Sequence, residues 1–535
     1  MPVGSRSRRT ALAILCATLA LGLSAAKAQA DDAAKPLLES PVSPVPPLFD
    51  QAAVDTATAA LDSIVANAMT RTGLPGLAVG VVYKDKVIYT KGFGVREVGK
   101  PGAIDPDTVF LLASVSKPIA STVVAKLVGD GTVRWTDKVK TLNPAFALQD
   151  PYVTRHATIA DLMSHRSGLH TGAGDLLEDL GFDRDYILSH IDQQPLDPFR
   201  ATYHYSNIGY TAGAIAAAAA AGQSWEALAE DTLFGPAGMT TASYRHRDYL
   251  AHADRARIHV RRKDGTWVAK FDRNADAQAP AGSASASLND MLRFMRLQLG
   301  NGTLAGKEIV NADALAASQE PQVITGSPRS RAARGGFYGY GWNVGYDDEG
   351  HVRLGHSGAF NLGTATNITF MPGEDIGIVT LTNGRPIGVA EAIGAVFFDV
   401  AQNGRQTVDW VGFLGHIFMQ IDAAEAPEVD YASRLASPTP AQDHAAYAGN
   451  FGNSYYGPLE VAADGGRLSM TLGPQAAPTT FALTHFDGDT FSFETIGENA
   501  NGLAGAIFTL GENGRALKVV LDFYDRTGLG TFVRE

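Results

Sequence analysis

Cysteine is nearly absent: the 535 residues contain one, Cys16. It lies in a segment that reads as a removable leader, so the mature chain has no disulfide, thiolate nucleophile or cysteine-ligated metal. Basic charge is also scarce. Forty-four Lys and Arg face 56 Asp and Glu, a formal net charge of −12. Four of those basic residues, and no acidic one, fall within residues 1–30, so the rest of the chain is more acidic still. Nucleic acid and anionic lipid both need a basic surface, and neither is an expected partner. No apolar run makes a membrane span: 11–26 is short and alanine-rich, and 212–221 is shorter. Two common hydrolytic signatures are missing as well. There is no His-Glu-x-x-His, and His252/His259 or His165/His170 lack a third ligand nearby, so core or surface histidines are expected and no cofactor or metal. Gly-x-Ser-x-Gly is absent too, since Gly355-His356-Ser357-Gly358 has the wrong spacing.

What is present begins with an export signal. Arg6, Arg8 and Arg9 precede the apolar stretch, and Ala28-Gln29-Ala30 offers small residues for cleavage after Ala30. Periplasmic or secreted location follows as an expectation, with no stable span after cleavage. Residues 31–50 carry five prolines and read as a linker. With 45% hydrophobic residues, the remainder can bury a sizeable core. Val54, Leu61, Ile64, Val65 and Met69 recur at helical spacing up to Gly73, and 77–83 and 87–89 form a hairpin around Lys84-Asp85-Lys86. Further helices are expected over 119–128, 212–221 and 290–299, and strands over 365–370 and 377–381. Strands at both ends of a long region predict one mixed α/β domain, 51–425, whose sheet joins distant segments. After a second proline-containing linker, 426–442, strand-like runs and Gly/Asn/Asp turns predict an all-β domain over 443–535. Gly302-Thr303-Leu304-Ala305-Gly306-Lys307 imitates a phosphate loop, but one residue is missing and Glu308 replaces the magnesium-holding hydroxyl, so a turn is expected.

Three motifs carry chemistry. Ser114-Val115-Ser116-Lys117 puts Ser114 and Lys117 three apart at a helix start, on one face. A serine hydroxyl is a weak nucleophile and needs an adjacent base, a role open to a lysine kept neutral by desolvation or by another cation. Backbone N–H groups at a helix start would also face a developing oxyanion. Tyr205-Ser206-Asn207 offers a phenol and a carboxamide two apart. His356-Ser357-Gly358-Ala359 precedes a strand, with Gly358 permitting close backbone approach and Ala359 N–H available as an oxyanion donor.

In this order the motifs resemble the serine β-lactamase and penicillin-binding-protein superfamily, especially its class C-like branch of D,D-peptidases, D-aminopeptidases and esterases. Leu162-Met163-Ser164-His165-Arg166-Ser167-Gly168-Leu169, Leu233-Phe234-Gly235-Pro236-Ala237-Gly238-Met239 and Gly339-Tyr340-Gly341-Trp342 are similar to further phrases of that family. The resemblance spans 54–402 and implies an antiparallel sheet flanked by helices, followed by a small barrel-like appendage. It implies Ser114 as acylated nucleophile, with Lys117 and Tyr205 as the proton-transfer pair. Asn207 would position the substrate amide, Ser114 and Ala359 N–H would form the oxyanion hole beside Gly358, and His356 would meet the substrate's carboxylate or another polar end. β-Lactamases of the family usually carry lysine at that last position, which disfavours efficient β-lactamase activity. A histidine there would be partly charged near neutrality, and its help would fade as pH rises.

The resulting expectation is an exported serine hydrolase acting on small amides or peptides, including those with D-residues, with peptidoglycan fragments among the candidate partners. A carboxylesterase or weak β-lactamase is the alternative within the enzyme class. A catalytically silent wall- or ligand-binding protein is the alternative outside it.

Overall fold

A computed structural model describes residues 45–535 except 329 and 348. The leader and residues 31–44 of the first linker lie outside the described residues. The hairpin signal becomes β1 (Gly76–Tyr83) and β2 (Lys86–Gly94). Every residue of β1 is buried, as suits a central strand covered on both faces. Farther along come β3 (Val323–Gly326), β4 (Gly336–Tyr338), β5 (Asn343–Tyr346), β6 (Val352–Phe360), β7 (Thr364–Met371) and β8 (Ile376–Thr382). They make one antiparallel sheet in the order β2-β1-β8-β7-β6-β5-β4-β3. The seam joins Leu77 of β1 to Thr382 of β8, so segments some 300 residues apart in the chain close the sheet.

Helices cover both faces. On one lie α1 (Gln51–Thr72), α5 (Val389–Asn403) and α6 (Trp410–Ala424), packed with Val79, Val81 and Ile378. On the other lie α2 (Ser116–Gly129), α3 (Asn207–Ala220) and α4 (Leu288–Leu299), in one core with Ala78, Ile368 and Val379. The alanine-rich 212–221 run is the middle and end of α3, where small side chains permit close helix packing, and Gly213 lies against Leu162 and Met163. Gly73 ends α1 at φ 67°, the left-handed position where a Cβ is costly. The phosphate-loop imitation is a tight hairpin turning at Ala305 (φ 51°) and Gly306 (φ 78°).

The described end of the first linker is not a free tether. His351 Nε2 bonds Pro46 O at 2.8 Å, and the Glu374 carboxylate accepts from Leu48 and Phe49 N–H.

The C-terminal part closes into an eight-stranded antiparallel barrel. Its strands are β9 (Gly449–Gly452), β10 (Leu459–Asp464), β11 (Arg467–Leu472), β12 (Thr479–Asp487), β13 (Thr490–Glu494), β14 (Leu503–Leu510), β15 (Ala516–Leu521) and β16 (Thr531–Arg534). Pairing of β9 with β16 removes the free edges. Tyr447, Phe451, Phe491, Phe493, Phe508 and Tyr524 are fully or almost fully buried in it. Among the described residues no helix is long and apolar enough to cross a membrane.

Candidate active site

Ser114, the candidate nucleophile, sits just ahead of the helix start that its sequence suggests. A 3-10 turn, Ala113–Val115, carries Ser114, and α2 starts only at Ser116. Ala113 adopts φ 47°, a left-handed conformation that costs a non-glycine residue about 1 kcal/mol or more. The surroundings hold it there. Leu112 N–H donates to Ala284 O and Leu112 O accepts from Thr366 Oγ1, while Ser116 Oγ donates to Ala113 O and accepts from Ala284 N–H. Tyr244 and Tyr210, both buried, donate to the Ser116 and Lys117 carbonyls at 2.7 Å. Pro118 occupies the first turn of α2, where its missing N–H has no intrahelical role.

Lys117 is fully buried. Its Nζ donates to Ser114 Oγ at 3.2 Å, Asn207 Oδ1 at 2.7 Å and Ala281 O at 2.9 Å, and lies 4.4 Å from the centre of the Tyr205 ring. The nucleophile, lysine, tyrosine and asparagine singled out in the sequence thus converge on one ammonium group. Ser206 caps α3 by accepting from Gly209 N–H, which sets Tyr205 just outside the helix and Asn207 at its first residue. With its oxygen on Lys117, Asn207 directs Nδ2 toward Asp175 Oδ2, 3.5 Å away.

β6 forms the facing wall. β5 pairs only with Val352–Gly355, which leaves His356 to Phe360 unpaired on the cleft side. A Cβ on Gly358 would stand 2.1 Å from Leu112 O and 3.1 Å from Ser114 N, so only glycine lets this strand lie against the nucleophile turn. Ser114, Tyr205, Asn207, His356 and Ala359 line the same cleft.

His356 lines the cleft with both ring nitrogens engaged. Its Nδ1 bonds Ser357 O at 2.8 Å and its Nε2 bonds Tyr338 Oη at 3.0 Å. A carbonyl only accepts, so Nδ1 carries the proton and Nε2 accepts from the phenol. Burial, reinforced by the positive charge of Lys117, depresses the imidazole pKa to about 3. The partly charged carboxylate receptor anticipated from sequence is therefore a neutral, doubly bonded ring. The His356 resonances should stay those of one neutral tautomer from about pH 5 to about pH 8 by NMR. A titration midpoint near the unperturbed value would overturn this assignment. Since the folded pKa lies below the unfolded one, any contribution of His356 to stability is present above about pH 6.5 and declines as pH falls toward about 3.

Several neighbours were not foreseen from the sequence. His165, at φ 60°, accepts Ser206 N–H on Nδ1 and packs its ring 4.5 Å from Tyr205 and 5.0 Å from Tyr338. Burial keeps it neutral as well. Gly341 (φ 121°) lies so close to Lys117 O that a Cβ would be 2.7 Å away, which explains a glycine in the Gly-Tyr-Gly-Trp phrase. Asp175, in the short helix Asp175–Asp179, lines the cleft. Burial and the negative charge of Glu178 and Asp179 raise its pKa to about 7, against the pull of Arg273 and Lys117. The sequence shows the neighbouring acids Glu178 and Asp179 but not the burial that is the main cause of this shift. Behind it, Arg273 is 6% exposed and pairs with Glu178 at 2.6 Å.

A family model described as Beta-lactamase matches residues 61–397, and one described as Domain of unknown function (DUF3471) matches residues 433–529. Penicillin-binding protein 4 of Amycolatopsis lactamdurans is 29% identical over 326 residues, 59% of this chain and 82% of that protein. Unguisins hydrolase ungD of Aspergillus violaceofuscus is 23% identical over 485 residues, 82% of this chain and 83% of its own. Among solved structures, the octameric penicillin-binding protein homologue from Pyrococcus abyssi shares the fold, with a TM-score of 0.57 at 19% identity, covering 89% of this chain and 99% of that one.

Proposed function

This chain belongs to the beta-lactamase family, and on that footing we propose that it is an exported serine hydrolase forming an acyl-enzyme at Ser114 on small amides, peptides or esters. The observation that carries the reading is the buried Lys117 ammonium bonded at once to Ser114 Oγ and Asn207 Oδ1 beneath the Tyr205 ring. In the proposed reaction the Lys117–Tyr205 pair has first given up one proton, so that Ser114 Oγ attacks the substrate carbonyl carbon while its own proton passes to the vacant site in the pair. The oxyanion is met by backbone N–H of Ser114 and Ala359, and the tetrahedral adduct expels the leaving group, which takes up a proton. Water then releases the acyl group. Two relatives named as a penicillin-binding protein and as an unguisins hydrolase support a hydrolase of this family. The leader-like 1–30 supports export and a periplasmic or secreted place of action, where peptidoglycan fragments are available substrates.

The test is the intact mass of the protein after exposure to a penicillin and, separately, to an activated ester, beside Ser114→Ala. The expected result is a mass gain equal to the acyl group in the unaltered protein alone. Equal labelling of Ser114→Ala, or no labelling of either protein by either reagent, overturns the proposal.

A further inference from the structure

Among the barrel segments that line the catalytic cleft is the loop Thr495 to Gly502, between β13 and β14, and this loop is gripped from both sides. On one side Asp179, at the end of the short helix that begins with Asp175, accepts from Glu498 N–H at 2.7 Å, Asn499 N–H at 3.1 Å and Asn499 Nδ2 at 2.8 Å. Gly497, at φ 89°, makes this approach possible, since a Cβ there would meet the Asp179 carboxylate at 2.2 Å. On the other side the Glu498 carboxylate accepts from both Asn361 N–H and Leu362 N–H. Those amides belong to the turn between β6 and β7, just beyond Ala359. Inside the loop, Thr495 Oγ1 ties Asn501 and Gly502 together, and Asn501 Nδ2 donates to Glu425 O. Asn361, Glu498 and Asn499 line the same cleft as Ser114.

The final residues of β6 need such a hold. They pair with β7 but have no strand on the cleft side, and among the described residues their turn is closed by Gly363 N–H to Phe360 O and braced at its far end by His259 N–H to Gly363 O. Without Glu498 the Asn361 and Leu362 amides have no acceptor from the catalytic domain among the described residues. A carboxyl group that accepts from two successive backbone donors ties both amides of the turn to one side chain. Arg273, whose guanidinium lies 3.9 Å from Glu498 and 5.0 Å from the Phe360 ring, backs the same turn.

We propose that Glu498, a residue of the barrel, is a positioning residue for the oxyanion strand, holding the β6–β7 turn so that Ala359 N–H stays aimed at the carbonyl attacked by Ser114. The second domain is thereby part of the catalytic apparatus rather than an appendage. The proposal rests on the acyl-enzyme reading of Ser114. Removing an oxyanion donor outright costs roughly 10²–10³-fold in kcat, so a donor that is loosened but still present should cost about tenfold to a hundredfold.

The experiment uses the full chain, with acylation by an activated ester followed as the pre-steady-state burst. Glu498→Ala is expected to lower the acylation rate about tenfold to a hundredfold with KM within about threefold. Glu498→Gln, which keeps one acceptor oxygen for the turn, is expected to recover most of that loss. Asp179→Asn, which loosens the other grip without touching the turn, should show a smaller loss in the same parameter. If Glu498→Ala does not fold, Glu498→Gln and Asp179→Asn decide. Variants acylating at the unaltered rate, or losing efficiency through KM alone, overturn the proposal. Failure of the Ser114 reading is distinguishable, because the unaltered protein would then give no Ser114-dependent burst.

Discussion

Replacing Lys117 by Ala should lower the rate of Ser114 acylation by at least about 10³-fold while leaving the protein folded. Lys117 Nζ contacts the nucleophile, and Ser114 Oγ has no other side-chain bond among the described residues. The serine would lose the amine that contacts it and through which its proton is relayed during attack. Stability should change far less, because two effects oppose one another. Asn207 Oδ1 and Ala281 O lose their donor, at a cost of about 1–3 kcal/mol each if they stay dry. Removing a charge held at 0% exposure, however, also removes its desolvation cost. Lys117→Met preserves more volume and should show the same kinetic loss with a smaller shift in Tm. Stopped-flow acylation beside a thermal melt measures both quantities. An alanine variant that acylates within about tenfold of the unaltered protein would remove Lys117 from the mechanism.

The second large effect concerns stability. Arg273 compensates a nest of acids: Glu178 at 2.6 Å, Glu498 at 3.9 Å, and Asp179 and Asp175 close enough for their titration to respond to it. Burial raises the pKa of Glu178 and Asp179 and takes that of Glu498 to about 8, with Arg273 working against the rise in each case. Removing one partner of a buried ion pair costs about 3–5 kcal/mol, since the other charge is left behind. Arg273→Ala should therefore lower Tm markedly, and the loss should depend on pH. Without the guanidinium the carboxyl pKa values climb further above their unfolded values of about 4. Their stability contribution is then present below that pH and is lost as pH rises through the folded pKa values. The deficit relative to the unaltered protein should be smallest near about pH 5 and grow toward about pH 8. A Tm difference independent of pH would mean that the carboxyls are not what Arg273 holds. Gln278 Nε2, which also donates to Glu178, limits the loss and makes Gln278→Ala an aggravating second change.

Much of the scaffold was legible because its signals are local. Apolar residues at helical spacing up to Gly73 mark α1 whatever surrounds it, and the β1–β2 hairpin and the barrel's turns are likewise written in short stretches. The Ser114–Lys117 spacing is local too: three residues along a turn place two side chains on one side. Other features were not legible because they arise only when distant segments meet. Nothing near Ala113 in the chain announces a left-handed residue, as its strain is held by Ala284 and Thr366. His356 reads as a titrating group until burial, Lys117 and Tyr338 surround it. Glu498 looks like any acid in a polar loop until the barrel closes and sets it against a turn 137 residues away.

By itself the sequence determined the mixed α/β class, the main helices, the β1–β2 hairpin, the three motifs that meet in the cleft, and the family to which the chain belongs. These depend on periodicity, turn chemistry and residue identity at short spacing, all of which survive in the unfolded chain. The tertiary structure alone decided the ionisation of His356 and Asp175, the strained backbone at Ala113 that carries Ser114, and the entry of the barrel into the cleft. Desolvation, Coulomb interaction and backbone strain depend on what lies within a few ångströms in space, and only the closed fold brings those groups together.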